Sequence, residues 1–583
     1  MLFKEVSKIK NRVIFIAAAL IIFLGLAVYA NSLNGEFLWD DLHLIKENVY
    51  IKDWSNIGAI FTKDTRGVLG GITYYHRPIQ MLSYMVDHSL WGLNHRGYHL
   101  TNILLHILAA LAMYWLLNII FKDRTLSLLA SALFVVHPVH TEAVAYISGR
   151  TDPIAAVFML LCIIFYIKHL ASKSVKTYAV MLLSYTLALL SRESSLILPL
   201  LLLLCHYAFI AINPPTPGKR NGIDHRQLLP VLAVTFVYIF LRFTALSPLL
   251  PDAPASSALL QRIPGFYVAI IDYIRLLVWP FGLHMEYGNR IFSITDTKFI
   301  LSVSMLTILL FSIFKKRGSS IVALFSIGWF FIALLPVSNI YPVGAYMAEH
   351  WLYLPSVGFF LILADALLRA YRTERFKITA AGLMISLLIF YSCLTIKQNG
   401  YWKDPIAFYK RTLVYSPGSW KTYNNLGIIY FSMGNNIEAV HMFKKSIEIN
   451  PKNPEIYYSL GYTYYSADSI KEAISQFKKA IEVDPKHVRS YNSLGAAYAR
   501  TDRGQDAVDL FNKVLEIDPD HTPAHINLAK AYYDKGEFNL AAKHCYKAIE
   551  LGYEVPADFA ELLKPYYKGA TNGAIPETET LER

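Results

Sequence analysis

The sequence predicts an all-α protein in two parts: a polytopic membrane bundle of about 11 spans, then a C-terminal tetratricopeptide (TPR) α-solenoid. Three observations predict it. Of 583 residues, 54% are hydrophobic and only 17% charged. Long apolar runs separated by short polar links fill residues 1–398. A 34-residue repeat follows.

The composition excludes a disordered chain and argues against a purely soluble enzyme. Four cysteines exclude a disulfide scaffold. The charge is unevenly placed. From residue 399 onward, 22 Lys and Arg oppose 23 Asp and Glu, so the net +12 lies entirely in the apolar part. Positive-inside loops produce such an excess. It is not a basic patch on a soluble module, so nucleic acid is not an expected partner.

Apolar runs place spans near 13–31, 99–120, 126–145, 153–170, 177–191, 195–212, 228–246, 297–314, 319–338, 350–368 and 378–397. The first follows a basic start and is long, so it reads as an uncleaved anchor rather than a signal peptide. Lys122, Arg124, Lys168, Lys173, Lys176, Lys315 and Arg369 mark inner loops when the N-terminus is inside. The segment 266–288 carries Asp272 and Arg275 and reads as a re-entrant or interfacial helix. Eleven spans put the repeats outside; a twelfth would put them in the cytosol.

After a linker at 399–417, Pro417, Pro451, Pro485 and Pro519 recur every 34 residues. Gly427, Gly461 and Gly495 share that spacing, with Ala529 in the fourth copy. This is the TPR pattern, and four copies over 418–552 predict a concave surface that binds polypeptide. Residues 553–583 read as a helix remnant and a disordered tail.

Candidate chemistry gathers on the outer side. The first outer loop, 32–97, holds adjacent Asp40 and Asp41, with Arg77 before Pro78. One carboxylate can deprotonate a hydroxyl, while the other orients it, raises its pKa or helps hold a metal. A solvated acidic loop or a helix cap are the plainer readings. His99 and Asn102 open span two; His137, His140, Glu142, Arg150 and Asp152 follow span three. Arg192 and Glu193 follow span five, and Glu349 and His350 precede span ten. Ionisable groups kept against spans point to a site. Arginine suits a lipid phosphate, though Arg150 and Arg192 also read as ion-paired struts. HPVH lacks the HExxH arrangement, so no metal is expected at His137, His140 and Glu142. No nucleotide-binding loop is present, so a lipid-linked donor fits better than a nucleotide.

In order, the segments FLWDD, YHRPI, GYHLTNILLH, LFVVHPVHTEAVAYISGRTD, ALLSRESS and LYLPSVGF, then the repeats, resemble the transmembrane-and-tetratricopeptide (TMTC-type) O-mannosyltransferases. These are GT-C class membrane glycosyltransferases. The resemblance covers about 13–550. It implies a polyprenyl-phosphate-linked sugar, no metal or other cofactor, and transfer to Ser or Thr of a polypeptide on the extracytoplasmic or lumenal side, with the repeats binding that acceptor or a partner protein. That side belongs to the inner membrane of a prokaryote or the endoplasmic reticulum membrane of a eukaryote. It matches the acidic pair to Asp40 and Asp41, with Asp40 as the base. Arg77, Arg150 and Arg192 are then the candidates for the donor phosphate. His99, Asn102, His137, His140, Glu142, Asp152, Glu193, Glu349 and His350 are the candidates for substrate binding. His76 in YHRPI and Arg192 in SRE depart from the expected pattern. Four repeats are few for the family, which leaves the sugar and acceptor open and fits a bacterial or archaeal relative. A TPR membrane scaffold without catalysis and a polytopic lipid or glycan transporter are the competing classes. A scaffold leaves the one-sided clustering unexplained, and a transporter places its ionisable groups near mid-span.

Overall fold

The computed structural model describes residues 2–62, 76–214, 225–244, 259–288, 290–317, 320–340 and 345–567. The expected tail after Tyr567 lies outside them. The chain divides into two compact units, residues 1–416 and 417–583. Among the described residues, every regular element is helical.

The first unit contains α1 (Leu2–Tyr29), α2 (Ile57–Thr62), α3 (Pro78–Trp91), α4 (His95–Phe121), α5 (Arg124–Val136), α6 (Thr141–Val144), α7 (Thr151–Ser172) and α8 (Val175–Ser191). It continues with α9 (Leu198–Ile212), α10 (His225–Thr244), α11 (Leu259–Val278), α12 (Thr297–Arg317), α13 (Ile321–Leu334), α14 (Ser356–Tyr371), α15 (Lys377–Tyr401) and α16 (Pro405–Tyr415). The described part of each expected span falls on a helix or helix pair. Five helical stretches are long and apolar enough to cross a membrane: Arg12–Asn34, His95–Phe121, Ile147–Ser172, Glu193–Ile212 and Glu374–Tyr401. A sixth joins α5 to Pro138–Val144 through a 54° bend. Pro138 causes that bend, because it has no N–H to continue the ladder. Val175–Ser191, Leu228–Thr244, Thr297–Ser312 and Ile321–Val337 are shorter apolar helices.

Sharp stops set the links. Asn94 caps α4 by accepting from Arg96 N, and Asp123 caps α5 by accepting from Leu126 N. Leu117, Leu133, Cys162, Leu201, Trp329 and Phe360 are fully buried in the bundle core. Gly358 lets α14 lie against the backbone of α13, where a side chain would collide with Ser326 O. The expected linker, 399–417, carries the end of α15 and all of α16, with Phe408 and Tyr409 buried.

The second unit pairs α17 (Trp420–Ser432) with α18 (Asn436–Ile449), α19 (Pro454–Ser466) with α20 (Ile470–Val483), α21 (Val488–Ala499) with α22 (Gly504–Ile517), and α23 (Thr522–Asp534) with α24 (Phe538–Glu550). A short α25 (Ala557–Leu563) packs on α24. The turn inside each pair puts one residue at positive φ: Gly434, Asp468, Asp502 and Gly536, again 34 apart. Only glycine, Asn and Asp adopt that conformation readily. The helices of a pair touch through a size match. A Cβ on Gly427, Gly461 or Gly495 would lie 2.8, 2.7 or 2.6 Å from the ring of Phe443, Phe477 or Phe511. In the fourth copy Ala529 and Cys545 share one buried cluster. The larger first partner thus meets a smaller second one.

This match makes a test. Cys545→Phe overpacks against Ala529, and unfolding of the chain should show a loss of about 1–3 kcal/mol. Adding Ala529→Gly should recover most of it, a coupling visible in a double-mutant cycle.

Candidate functional site

Asp40 and Asp41 are not equivalent. Asp40 is exposed, whereas Asp41 is 1% exposed. The chain turns tightly between Leu38 and Asp41. Asp41 N donates to Leu38 O at 2.9 Å, and Leu38 N donates to Asp41 Oδ2 at 3.0 Å. The other oxygen, Oδ1, accepts from Ser148 N at 2.8 Å and from Ser148 Oγ. Asp40 N donates to Tyr146 OH at 3.2 Å. Asp41 therefore pins the acidic turn to the 146–148 segment and leaves Asp40 facing outward. Burial pushes the Asp41 carboxyl up to about 7, against the pull of its three hydrogen bonds.

The 146–148 segment is itself held from below. Arg150, 0% exposed, donates through Nη1 to Asp87 Oδ2 at 2.6 Å and Ser83 Oγ at 3.2 Å. Its Nε donates to Asn102 Oδ1 at 2.9 Å and its Nη2 to Tyr98 O at 3.0 Å. The guanidinium also lies over the Tyr84 ring, 4.5 Å from its centroid. Asn102 Nδ2 lies 3.1–3.2 Å from the carbonyls of Val144, Tyr146 and Ile147. At Gly149 the turn folds back so closely that a side chain would strike Glu142 O.

Arg150 and Asn102, expected among the donor-phosphate and substrate groups, have their polar groups buried and bonded to the protein. Three expected histidines are also buried, and each has at least one ring nitrogen on a protein partner. His99 Nε2 meets Gly35 O at 3.1 Å, and His137 Nε2 meets Leu277 O at 3.1 Å. His140 meets Phe134 O and Ser356 Oγ at 2.9 and 3.0 Å. Their ring nitrogens tie helix ends together.

Other expected residues form two further groups. Arg77, at the start of α3, donates through Nε and Nη2 to Glu193 Oε2 at 3.1 and 3.0 Å. Arg192 pairs with Asp152 and reaches Thr151 Oγ1 at 3.3 Å. Arg242, near the end of α10, lies 4.0 Å from Glu193 Oε1. Among the described residues, this group brings together three guanidiniums and two carboxylates. Arg242 was not among the sequence candidates. Its signal is a lone cation at the end of an apolar run, the position that marked Arg192.

The last group joins Glu142, Glu349 and His350. Glu142 accepts from His350 N at 2.9 Å, and its other oxygen meets His350 Nδ1 at 2.7 Å. Glu349, 1% exposed, accepts from Tyr287 OH at 2.6 Å and from His284 N. Burial, reinforced by Glu142, holds the Glu349 carboxyl well above the usual range. Tyr287 and His284 are further additions. Their partners lie 62 and 65 residues away, so no local pattern reveals them.

The Asp41 shift has a signed consequence. With an ordinary value of 3.8 and a folded value of about 7, Asp41 holds a proton in the folded chain that the unfolded chain has released. Its contribution to stability is complete below about 3.8 and is lost as pH rises through about 7. The unfolding midpoint should fall across that window in wild type, and more shallowly in Asp41→Asn. Equal slopes would show that Asp41 does not carry the titration.

Comparison with known proteins supports both parts of the chain. Tetratricopeptide repeat models match residues 427–468, 458–522 and 500–546. Protein O-mannosyl-transferase F38B6.6 of Caenorhabditis elegans is 29% identical over 438 residues, 72% of this chain and 60% of that protein. Protein O-mannosyl-transferase TMTC4 of Mus musculus is 26% identical over 486 residues, 73% of this chain and 65% of that protein. The chain thus spans somewhat under two thirds of the length of these relatives. Among solved structures, the crystal structure of MamA is 26% identical, covers 29% of this chain and 95% of its own, and superposes with a TM-score of 0.25. Over most of its length the chain is similar to the TMTC-type protein O-mannosyl-transferases.

Proposed function

We propose that the chain is a membrane glycosyltransferase that moves a hexose from a polyprenyl-phosphate donor to a hydroxyl acceptor, a Ser or Thr of a polypeptide. The observation that carries this reading is the division of the acidic pair: an outward Asp40 on a turn pinned by a buried Asp41. Asp40 is the general base. It takes the acceptor hydroxyl proton as that oxygen attacks the anomeric carbon. The bond from that carbon to the phosphate oxygen breaks, and the electron pair leaves on the polyprenyl phosphate. One displacement inverts the anomeric centre.

We assign the phosphate to the group of Arg77, Arg192 and Arg242, where preorganised cations stabilise the developing charge. Asp41 reaches Ser148 and Arg192 reaches Asp152, four residues further on. Four residues span at most about 14 Å, so the two partners are neighbours. The reaction uses no metal and takes place on the extracytoplasmic side of the bilayer. The TPR unit holds the acceptor polypeptide.

Transfer from radiolabelled polyprenyl-phosphate sugars to protein, measured in membranes, tests this. Asp40→Asn should lower transfer by about 10²–10⁴-fold with insertion unchanged. Undiminished transfer would remove Asp40 as the base. No transfer by wild type from any such donor would favour a TPR scaffold instead.

A further inference from the structure

Trp39, next to the outward Asp40, has a φ of 50°. Glycine, Asn and Asp occupy that region readily; a bulky aromatic does so only under strain. The strain is held in place by the turn. Asp41 brackets Leu38 on one side, and Leu42 N donates to Trp39 O at 3.3 Å on the other.

The ring stands at the end of an aromatic wall that starts and finishes at Asp40. Trp39 and Tyr409 have centroids 6.0 Å apart. Tyr409 packs on Phe408, Phe408 on Trp402, and Trp402 stacks on Tyr146 at 5.6 Å. The Tyr146 hydroxyl accepts from Asp40 N. Tyr146, Trp402, Phe408 and Tyr409 are all buried, whereas Trp39 is only half-buried. The four buried rings pack on one another without it, so their packing does not require a tryptophan at positive φ. A ring kept there, half open and beside an outward carboxylate, has a surface for something else.

We propose that Trp39 is the sugar platform of the site: its indole face stacks on the hexose of the donor and sets the anomeric carbon beside Asp40. The electron-rich ring face attracts the polarised C–H bonds of a pyranose, while the sugar hydroxyls stay in water. Trp39 is thus a donor-specificity residue, and this rests on the donor reading above.

The test compares binding of polyprenyl-phosphate mannose with that of bare polyprenyl phosphate to the full chain. Wild type should bind the sugar-bearing lipid more tightly. Trp39→Ala should weaken that binding about tenfold and leave the bare lipid unchanged. Trp39→Phe should keep part of the preference. Trp39→Gly removes the ring and relieves the strained φ, so it should lose the preference as Ala does while melting no lower than Ala. A preference that survives in both Ala and Gly overturns the proposal, as does equal weakening for both lipids. A wild type that binds neither lipid overturns the donor reading itself, and this proposal with it.

Discussion

A guanidinium with no exposed surface must have its donors bonded to protein, and Arg150 meets this demand by gathering its neighbours. Asp87 on α3, Tyr98 and Asn102 on α4 and the rings of Tyr84 and Tyr98 converge on it. Removing one member of such a buried pair commonly costs about 3–5 kcal/mol. Arg150 also fixes Asn102, and Asn102 fixes the carbonyls of Val144, Tyr146 and Ile147. That turn then offers Ser148 to Asp41 and the Tyr146 hydroxyl to Asp40. The outward carboxylate is therefore the end of a chain of buried polar contacts. Its position is set by groups that are themselves buried.

This arrangement separates rigidity from chemistry. The histidines at residues 99, 137 and 140 and the Asn102–Arg150 pair hold helix ends. The proposed reaction draws on fewer groups: Asp40, the half-buried Trp39 and the arginine group around Glu193. Functional sites are commonly more precise when their reactive groups are fixed by such a supporting layer. The second unit follows a simpler rule. Within each repeat the two helices meet through the same small-to-large contact, and a change in one partner is matched in the other, as Ala529 and Cys545 show.

Much of the fold was legible in the sequence. The 34-residue spacing located the repeats because a stacked helix pair needs small residues at fixed positions. Apolar runs located the helices because burial and membrane both demand them. The ionisable groups that the structure gathers were conspicuous too, because they are charges in apolar surroundings. Their division of labour was not legible. Asp40 and Asp41 are adjacent and chemically identical, and only the partner 107 residues away separates them. Arg150 and Arg192 look alike in sequence, but Asp87, Ser83 and Asn102 enclose the first. Trp39 gave no sign, because φ is a property of the folded turn.

The central claim is that a lipid phosphate sits at the arginine group while its sugar reaches Asp40. The most direct test is an electron cryomicroscopy structure of the full chain with polyprenyl-phosphate mannose bound. The account predicts phosphate density within hydrogen-bond reach of Arg77, Arg192 or Arg242 and the hexose between Trp39 and Asp40. Phosphate density elsewhere in the bundle, with Asp40 facing no sugar, would contradict it.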